Sequence, residues 1–295
     1  MLSSYAQGLI ILVCINVIAV TGVSLLTGFT GLFSFGNAGF MALGAYVSAI
    51  ASVELHTPFL VSLVAGVLVA AIIGFGLGRL TLGLRGDYFL IATLGFGQVV
   101  QILIEFFDKV TGGARGFANI PPKTTLWIAV VLAVGSVAVA ANLIHSKFGR
   151  NFTAVREQEV AAEAVGIDTF RFKQMAFVLS AMFAGFAGGL FAHYYMYIVP
   201  KMFDINESAL FTITVVVGGL ASLSGSVISC VVLTLLPELF RSLASYRMLF
   251  YGMAVVAIIL IRPSGLMGYH ELSFGWIRER MRAKRGKTAS KEGKT

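Results

Sequence analysis

Three polar side chains interrupt one of the most apolar stretches of this sequence. Gln98, Gln101 and Glu105 lie at positions i, i+3 and i+7 within the apolar run 88–107, and this spacing aligns them on one face of an α-helix. Amide and carboxylate groups are costly in hydrocarbon, so they normally face a protein interior or a water-filled path. The glutamines therefore have two interpretations, a solute path or hydrogen bonds between helices, and Glu105 has a third, a position at the membrane interface.

Another polar residue, Asn37, lies in the glycine-rich sequence Ser34-Phe35-Gly36-Asn37-Ala38-Gly39-Phe40, at the start of a short apolar run. Asparagine is favoured at helix N-termini because its side chain accepts hydrogen bonds from free backbone N–H groups. Capping of the following helix and contact with a solute are both consistent with this position. We treat Asn37, Gln98 and Gln101 as candidates for a translocation path.

Residue patterns typical of enzymes and metal sites are not found. The four histidines are scattered without metal-ligand spacing, and Cys14 and Cys230 each lie inside an apolar run, so we expect no metal ion and no cofactor. The sequence Gly286-Lys287-Thr288 is the nearest approach to a phosphate-binding loop, but that motif requires glycine where the chain has Met281. We therefore expect neither ATP binding nor enzymatic activity in this chain.

The elements that position these side chains must lie in lipid. Of 295 residues, 57% are apolar and 12% are charged, against roughly 45–50% and 25% in soluble domains. Because one bilayer crossing takes about 20 residues, the sequence predicts an all-α, polytopic membrane helix bundle of eight or nine transmembrane segments. The predicted segments are 5–26, 37–53, 59–80, 88–107, 126–144, 175–195, 208–220, 226–240 and 246–261. Segments 208–220 and 226–240 are short enough to be broken or re-entrant.

The basic residues predict the orientation of the bundle. If all nine segments cross, sixteen of the 22 Lys and Arg residues fall on one side, including the loop 145–174 and the C-terminal tail. The six on the other side are Lys109, Arg115, Lys123, Lys201, Arg241 and Arg247. Since basic residues are retained in the cytoplasm, we predict an external N-terminus, a transmembrane domain 1–267 and a disordered basic cytoplasmic tail 268–295. The net charge of +8 thus reflects topology rather than a nucleic-acid partner.

The loop 145–174 is the most informative polar segment. Residues 157–164 are rich in Glu and Ala, which favour helix, and Gly166 can end that helix in a left-handed conformation. The small side chains of Ala161 and Ala162, between Glu159 and Glu163, would allow close approach of another protein. The composition therefore predicts a short cytoplasmic helix that docks onto a partner.

Small residues at four-residue spacing predict close helix packing in two spans. The pairs are Gly74 with Gly78, Ala181 with Gly185, and Gly185 with Gly189. A faint repeat also links 31–35 with 219–223, each beside a short, glycine-interrupted span. Broken helices at corresponding places in two halves are a device by which transporters build sites within the membrane.

Four stretches resemble a known family. They are Thr27-Gly28-Phe29-Thr30-Gly31-Leu32-Phe33-Ser34-Phe35-Gly36 with Gly44-Ala45-Tyr46, Leu84-Arg85-Gly86-Asp87-Tyr88-Phe89, Thr111-Gly112-Gly113 through Ile120-Pro121, and Phe148-Gly149-Arg150 through Ile167 with Phe177-Val178-Leu179-Ser180-Ala181. Together they resemble LivM-type permeases of branched-chain amino acid ABC importers, a family that includes urea and short-amide permeases. In this family, the segment that resembles 161–166 contacts the ATPase.

The resemblance implies a permease subunit in a bacterial inner membrane. Its expected partners are cytoplasmic ATPase subunits, a second homologous permease subunit and a periplasmic substrate-binding protein. The expected cargo is a branched-chain amino acid or a similar small amino acid or amide. The alternative is a secondary transporter or channel that works alone, which would normally carry ionisable residues at mid-membrane; such residues are scarce in the predicted spans after residue 107.

Overall fold

The computed structural model describes residues 4–84 and 86–239, together with residues 252–253, 255–256, 260 and 265–268. Eleven α-helices are assigned within this part of the chain. They are α1 (Ser4–Val23), α2 (Asn37–Val53), α3 (Phe59–Thr81), α4 (Asp87–Phe106), α5 (Asp108–Thr111), α6 (Leu126–His145), α7 (Lys147–Glu157), α8 (Glu159–Ala164), α9 (Thr169–Tyr195), α10 (Ile205–Gly218) and α11 (Leu223–Leu239). Two 3-10 turns, Gly113–Arg115 and Pro200–Phe203, and one π-helical turn, Ser24–Gly28, complete the regular structure described.

The helical membrane bundle predicted from composition is confirmed. Five helices in the described residues are long and apolar enough to cross a bilayer: Tyr5–Gly28, Phe59–Thr81, Asp87–Phe106, Leu126–His145 and Thr169–Tyr195. The shorter α2 coincides with the predicted segment 37–53, and α10 and α11 overlap the predicted segments 208–220 and 226–240, each beginning three residues earlier. The predicted segment 246–261 lies largely outside the described residues, and the predicted tail lies outside them beyond Gly268.

The centre of the bundle is α9, which packs against α1, α2 and α3. Glycine allows the backbones to approach closely there. A Cβ atom built on Gly44 would lie 2.1 Å from the Gly185 carbonyl oxygen, and one on Gly188 would lie 1.9 Å from the Met41 carbonyl oxygen. No side chain larger than hydrogen fits at these two positions without displacing backbone.

Two breaks interrupt the helices inside the bundle. The chain is non-helical at 31–36, between the end of the α1 helix and α2, and again at 219–222, between α10 and α11. Gly31, Gly219 and Ala221 have positive φ angles of 73°, 117° and 73°, which an α-helix cannot contain. The faint sequence repeat thus marks two real breaks.

Hydrogen bonds define two ends of the bundle. At one end, the Leu266 N–H donates to the Val217 carbonyl (2.8 Å), and Arg156 on α7 reaches the Gly28 carbonyl. We call this the loop end, because it carries α7 and α8. At the other end, residues 117 and 198 form an isolated antiparallel bridge. The segment that precedes the basic tail therefore lies at the loop end.

Candidate translocation and coupling site

The first break is held by side chains from two neighbouring helices. The Phe35 N–H donates to Thr93 Oγ1 on α4 (3.1 Å), and the Thr212 hydroxyl on α10 donates to the Ser34 carbonyl (3.2 Å). The Ala38 N–H donates to Ser208 Oγ, also on α10 (2.9 Å). These bonds satisfy backbone groups that a helix would otherwise pair internally, as backbone at membrane depth requires.

Asn37 belongs to this break. Its side chain is 1% exposed; Nδ2 donates to the Ser34 carbonyl (3.1 Å), and Oδ1 accepts from the Ser180 hydroxyl on α9 (3.1 Å). The N-cap residue of α2 is Gly36 rather than Asn37. In this conformation Asn37 ties the break to the central helix, and both ends of its amide are bonded within the protein.

Gln98, Gln101 and Glu105 lie on α4 at the edge of the bundle, and all three are half-buried. Gln98 lines a narrow crevice between α2, α4 and α10, together with Ser208. No hydrogen bond from the side chain of Gln98 or Gln101 to another described residue is found in the structure. Both glutamines lie on α4 three residues apart and therefore share one face of the helix, as predicted. The alternative interpretation, hydrogen bonds to other described helices of this chain, does not apply to them.

The loop 145–174 forms two helices, α7 and α8, instead of the single helix predicted. The prediction that Gly166 ends the second is confirmed: its φ angle is 85°, and its N–H donates to the Glu163 carbonyl (2.9 Å). A Cβ atom on Gly166 would meet no neighbour within 4 Å. Gly166 is therefore required for its backbone conformation and not for space.

Three of the predicted docking residues serve contacts within the chain. Ala162 is only 5% exposed, so it faces the protein's own interior, which corrects the expectation that it meets a partner. The Glu159 carboxylate pairs with Lys173, and the Glu163 carboxylate accepts from the Thr169 hydroxyl (2.7 Å). These bonds fix α8 to the start of α9. Ala161 and Gly166 are exposed as expected.

The residues that α8 presents outward were not singled out from the sequence. Val160 is 78% exposed and Val165 is 76% exposed. They form what we call the α8 apolar patch, defined as Val160, Ala161 and Val165. The signal that could have revealed it is two branched apolar residues five positions apart in a segment otherwise made of Glu and Ala.

Arg156 connects α7 to the end of the first transmembrane helix. Its Nη1 donates to the Gly28 carbonyl (2.9 Å), and its Cγ lies 3.1 Å from a Cβ built on Gly31. Gly28 ends the π-helical turn Ser24–Gly28, a form of helix that is rare and frequent at functional sites. The helical loop is thus bonded directly to the segment that leads into the first break.

A cavity of about 930 Å³ opens at the loop end. It is enclosed by residues 31–33 of the first break, the α3–α4 connection, α8 and the start of α9. Residues of the first break and of the loop therefore line one space. A displacement of α8 would change its walls.

Comparison with known proteins identifies the family. The profile described as "Branched-chain amino acid transport system / permease component" matches residues 5–261. The chain belongs to this permease family. The high-affinity branched-chain amino acid transport system permease protein LivM of Salmonella typhimurium is 34% identical over 287 residues, which cover 86% of this chain and 68% of the relative.

Two further relatives support this membership. LivM of Escherichia coli is 34% identical over 87% of this chain and 68% of its own length, and the permease protein LivH of Escherichia coli is 25% identical over 85% and 90%. No solved structure matches the chain significantly. Membership of the family confirms the prediction of a transport permease rather than an enzyme.

Proposed function

We propose that this chain is the membrane-spanning permease subunit of an ATP-binding cassette importer in a bacterial inner membrane. Its cargo would be a branched-chain amino acid or a similar small amino acid or amide, received from a periplasmic binding protein. The observation that carries the proposal is the α8 apolar patch, because Val160 and Val165 are exposed on a helix that lies outside the long apolar spans. Exposed apolar clusters on such elements are typical of docking surfaces.

The partner of this patch would be a cytoplasmic ATPase subunit. Docking on α8 is expected to move α7, and Arg156 on α7 would transmit that movement to the Gly28 carbonyl and the first break. The break carries Asn37 and is bonded to α4, α9 and α10. Through these contacts, a movement of the ATPase during ATP hydrolysis would reach the first break inside the bundle.

The orientation proposed from the basic residues agrees with the positions of the described segments. The loop and residues 265–268, which precede most of the basic tail, lie at the loop end. At the opposite end, the Arg115 carbonyl accepts from the Tyr197 hydroxyl, beside the 117–198 bridge. A cytoplasmic loop end and a periplasmic opposite end therefore follow from the positive-inside rule.

A second homologous permease subunit would cover α4. The residues Ile91, Ile102 and Phe106 on this helix are more than half exposed, and Gln98 and Gln101 lie next to them. Amide side chains are costly against lipid. If a solute path runs between two permease subunits, Gln98 and Gln101 at the edge of this subunit would face that path instead of lipid. LivM and LivH relatives of this chain both exist, which supports a paired permease.

Reconstitution tests the proposed function. Proteoliposomes that contain this chain, its ATPase and its partner permease should accumulate radiolabelled leucine when the binding protein is added outside and ATP inside. Liposomes without the ATPase are the control. Leucine accumulation by the chain alone, without ATP, would instead support the stand-alone transporter.

The double substitution Gln98→Leu and Gln101→Leu should reduce leucine uptake at least tenfold. The reason is that a solute passing α4 would no longer find amide partners, and a desolvated polar group without a partner costs about 1–3 kcal/mol. Val99→Leu, on the same helix with a 53% exposed side chain, is the control. Unchanged uptake, or loss of the assembled complex, would show that the glutamines are structural.

Replacing Arg156 with glutamine should uncouple the transporter without dissociating it. Removal of the charge-assisted bond to Gly28, worth about 1.5–3 kcal/mol, would reduce leucine transported per ATP hydrolysed about tenfold. Arg150→Gln, an exposed position on the same helix, should leave this ratio unchanged. If Arg156→Gln transports with normal stoichiometry, the link between α7 and the π-helical turn plays no part in coupling.

A further inference from the structure

A second cavity lies between α1, α10 and α11, and its described lining includes none of the candidate path residues and none of the loop 145–174. Its volume is about 260 Å³, which is below the 300–1,000 Å³ typical of pockets for drug-sized ligands. We call it the α1–α10–α11 cavity. Its described lining residues are Asn16, Val20, Glu207, Leu210, Phe211, Thr214, Cys230, Leu233, Thr234 and Pro237. The size restricts any occupant to a small solute.

The polar groups of this cavity are of two kinds. Asn16 on α1 and Thr234 on α11 both line the cavity and are bonded to each other: Asn16 Nδ2 donates to Thr234 Oγ1 at 3.4 Å. This bond leaves the second amide N–H of Asn16 able to donate, and the Thr234 hydroxyl, which also lies 4.0 Å from Cys230 Sγ, could exchange that weak contact for a stronger acceptor. Glu207, in the first turn of α10, supplies a carboxylate instead. The cavity thus offers hydrogen-bond donors from α1 and α11 and a carboxyl group from α10.

The charge of the cavity is uncompensated within the described residues. None of the described lining residues is Lys, Arg or His, and the Glu207 carboxylate forms no ion pair in the described part of the chain. The nearby Asp204 adds a second negative group: its side chain accepts from the Glu207 N–H (3.1 Å) and from Asn206. Burial and the like charge of Asp204 both favour the neutral form of Glu207, and an ammonium group at this side of the cavity would favour the ionised carboxylate instead.

The rest of the wall is apolar. Val20, Phe211 and Leu233 are buried, and Leu210 lies beside them. An amide such as Asn16 in the middle of an apolar transmembrane helix is costly unless it has a specific partner. A small solute could therefore place a branched aliphatic group against the apolar wall, one polar group on Asn16 and another polar group on Glu207.

We infer that the α1–α10–α11 cavity is a binding site for a small α-amino acid with an aliphatic side chain. Glu207 would bind its ammonium group, Asn16 and Thr234 would bind its carboxylate, and the apolar wall would hold its side chain. This inference rests on the proposed function, since it places the cargo of the importer at a specific site in this subunit.

The test uses the complete reconstituted importer with leucine as the probe. Glu207→Gln removes the charge and keeps the size, so leucine uptake should fall about tenfold or more, because a bond to a charged group is removed. Glu207→Asp, which keeps the carboxylate, should restore a substantial part of the uptake. Glu54→Gln makes the same chemical change at an exposed residue that lines neither this cavity nor the crevice at Gln98, so it is the matched control and should leave leucine uptake unchanged.

Thr234→Val is the second variant, because it preserves shape and removes only the hydroxyl. It should reduce leucine uptake several-fold, while ATP hydrolysis stimulated by the binding protein persists in both this variant and Glu207→Gln. Normal uptake in both variants overturns the site and leaves the proposed function standing. Equal losses of uptake in Glu207→Asp and Glu207→Gln, or in Glu54→Gln and Glu207→Gln, also overturn it. If the wild-type importer itself shows no ATP-dependent uptake, the proposed function fails instead.

Discussion

Replacing Val160 with aspartate should reduce recovery of the ATPase with the permease about 30-fold. The side chain is 78% exposed, so aspartate is compatible with the folded permease and should not change its stability. At the centre of an interface, however, it would place a charge against an apolar surface. Truncation of a central interface residue typically costs about 2 kcal/mol or more, and about 2 kcal/mol corresponds to about a 30-fold change in the dissociation constant.

The measurement is co-purification of the ATPase with tagged permease, alongside expression level and leucine uptake. Leu55→Asp is the matched control, because Leu55 is 70% exposed and lies in the α2–α3 connection, outside α7 and α8. Uptake should fall in parallel with co-purification for Val160→Asp and should remain normal for the control. If Val160→Asp retains both the ATPase and uptake, the α8 apolar patch is not the docking surface.

Replacing Gly44 or Gly188 with alanine should abolish recovery of folded permease. The added methyl group would lie about 2 Å from a carbonyl oxygen of the facing helix, and backbone, unlike a flexible side chain, cannot rotate away. Overpacking of a core typically costs about 1–3 kcal/mol, and we expect about 3 kcal/mol or more here because the whole α2–α9 contact must separate.

Gly76→Ala provides the control for this prediction. A Cβ atom on Gly76 would meet nothing within 4 Å, and alanine favours helix over glycine by about 1 kcal/mol. Alanine should thus slightly stabilise the protein at position 76 and prevent its folding at position 44. Monodisperse elution in detergent and the midpoint of thermal unfolding measure both effects. A folded Gly44→Ala variant with unchanged thermal stability would contradict the packing of α2 on α9.

The sequence by itself determined most of the membrane segments, although it did not predict α7 and placed the start of α9 six residues too late. The predicted segment 37–53 coincides with α2, and 59–80 and 126–144 differ from α3 and α6 by one residue each at one end. Apolar runs, glycines and charges predict such elements because backbone in lipid must pair within its own helix, and whether a run enters lipid depends on the transfer cost of its own side chains. The end of α8 at Gly166 was predictable for a similar reason, since a left-handed residue is a local requirement.

Only the tertiary structure decided which partner each residue meets. The small residues Gly185 and Ala181 predicted close packing, but not that they would face α3 through Ala70 and Gly74. Ala162 and Val160 lie on opposite faces of α8, and the bonds of Glu159 with Lys173 and of Glu163 with Thr169 hold the helix against α9 with Ala162 buried and Val160 exposed. The same holds for Arg156 and Gly28, which are 128 residues apart in sequence. Contacts of this kind depend on how the helices are arranged around α9, and a local pattern cannot encode that arrangement.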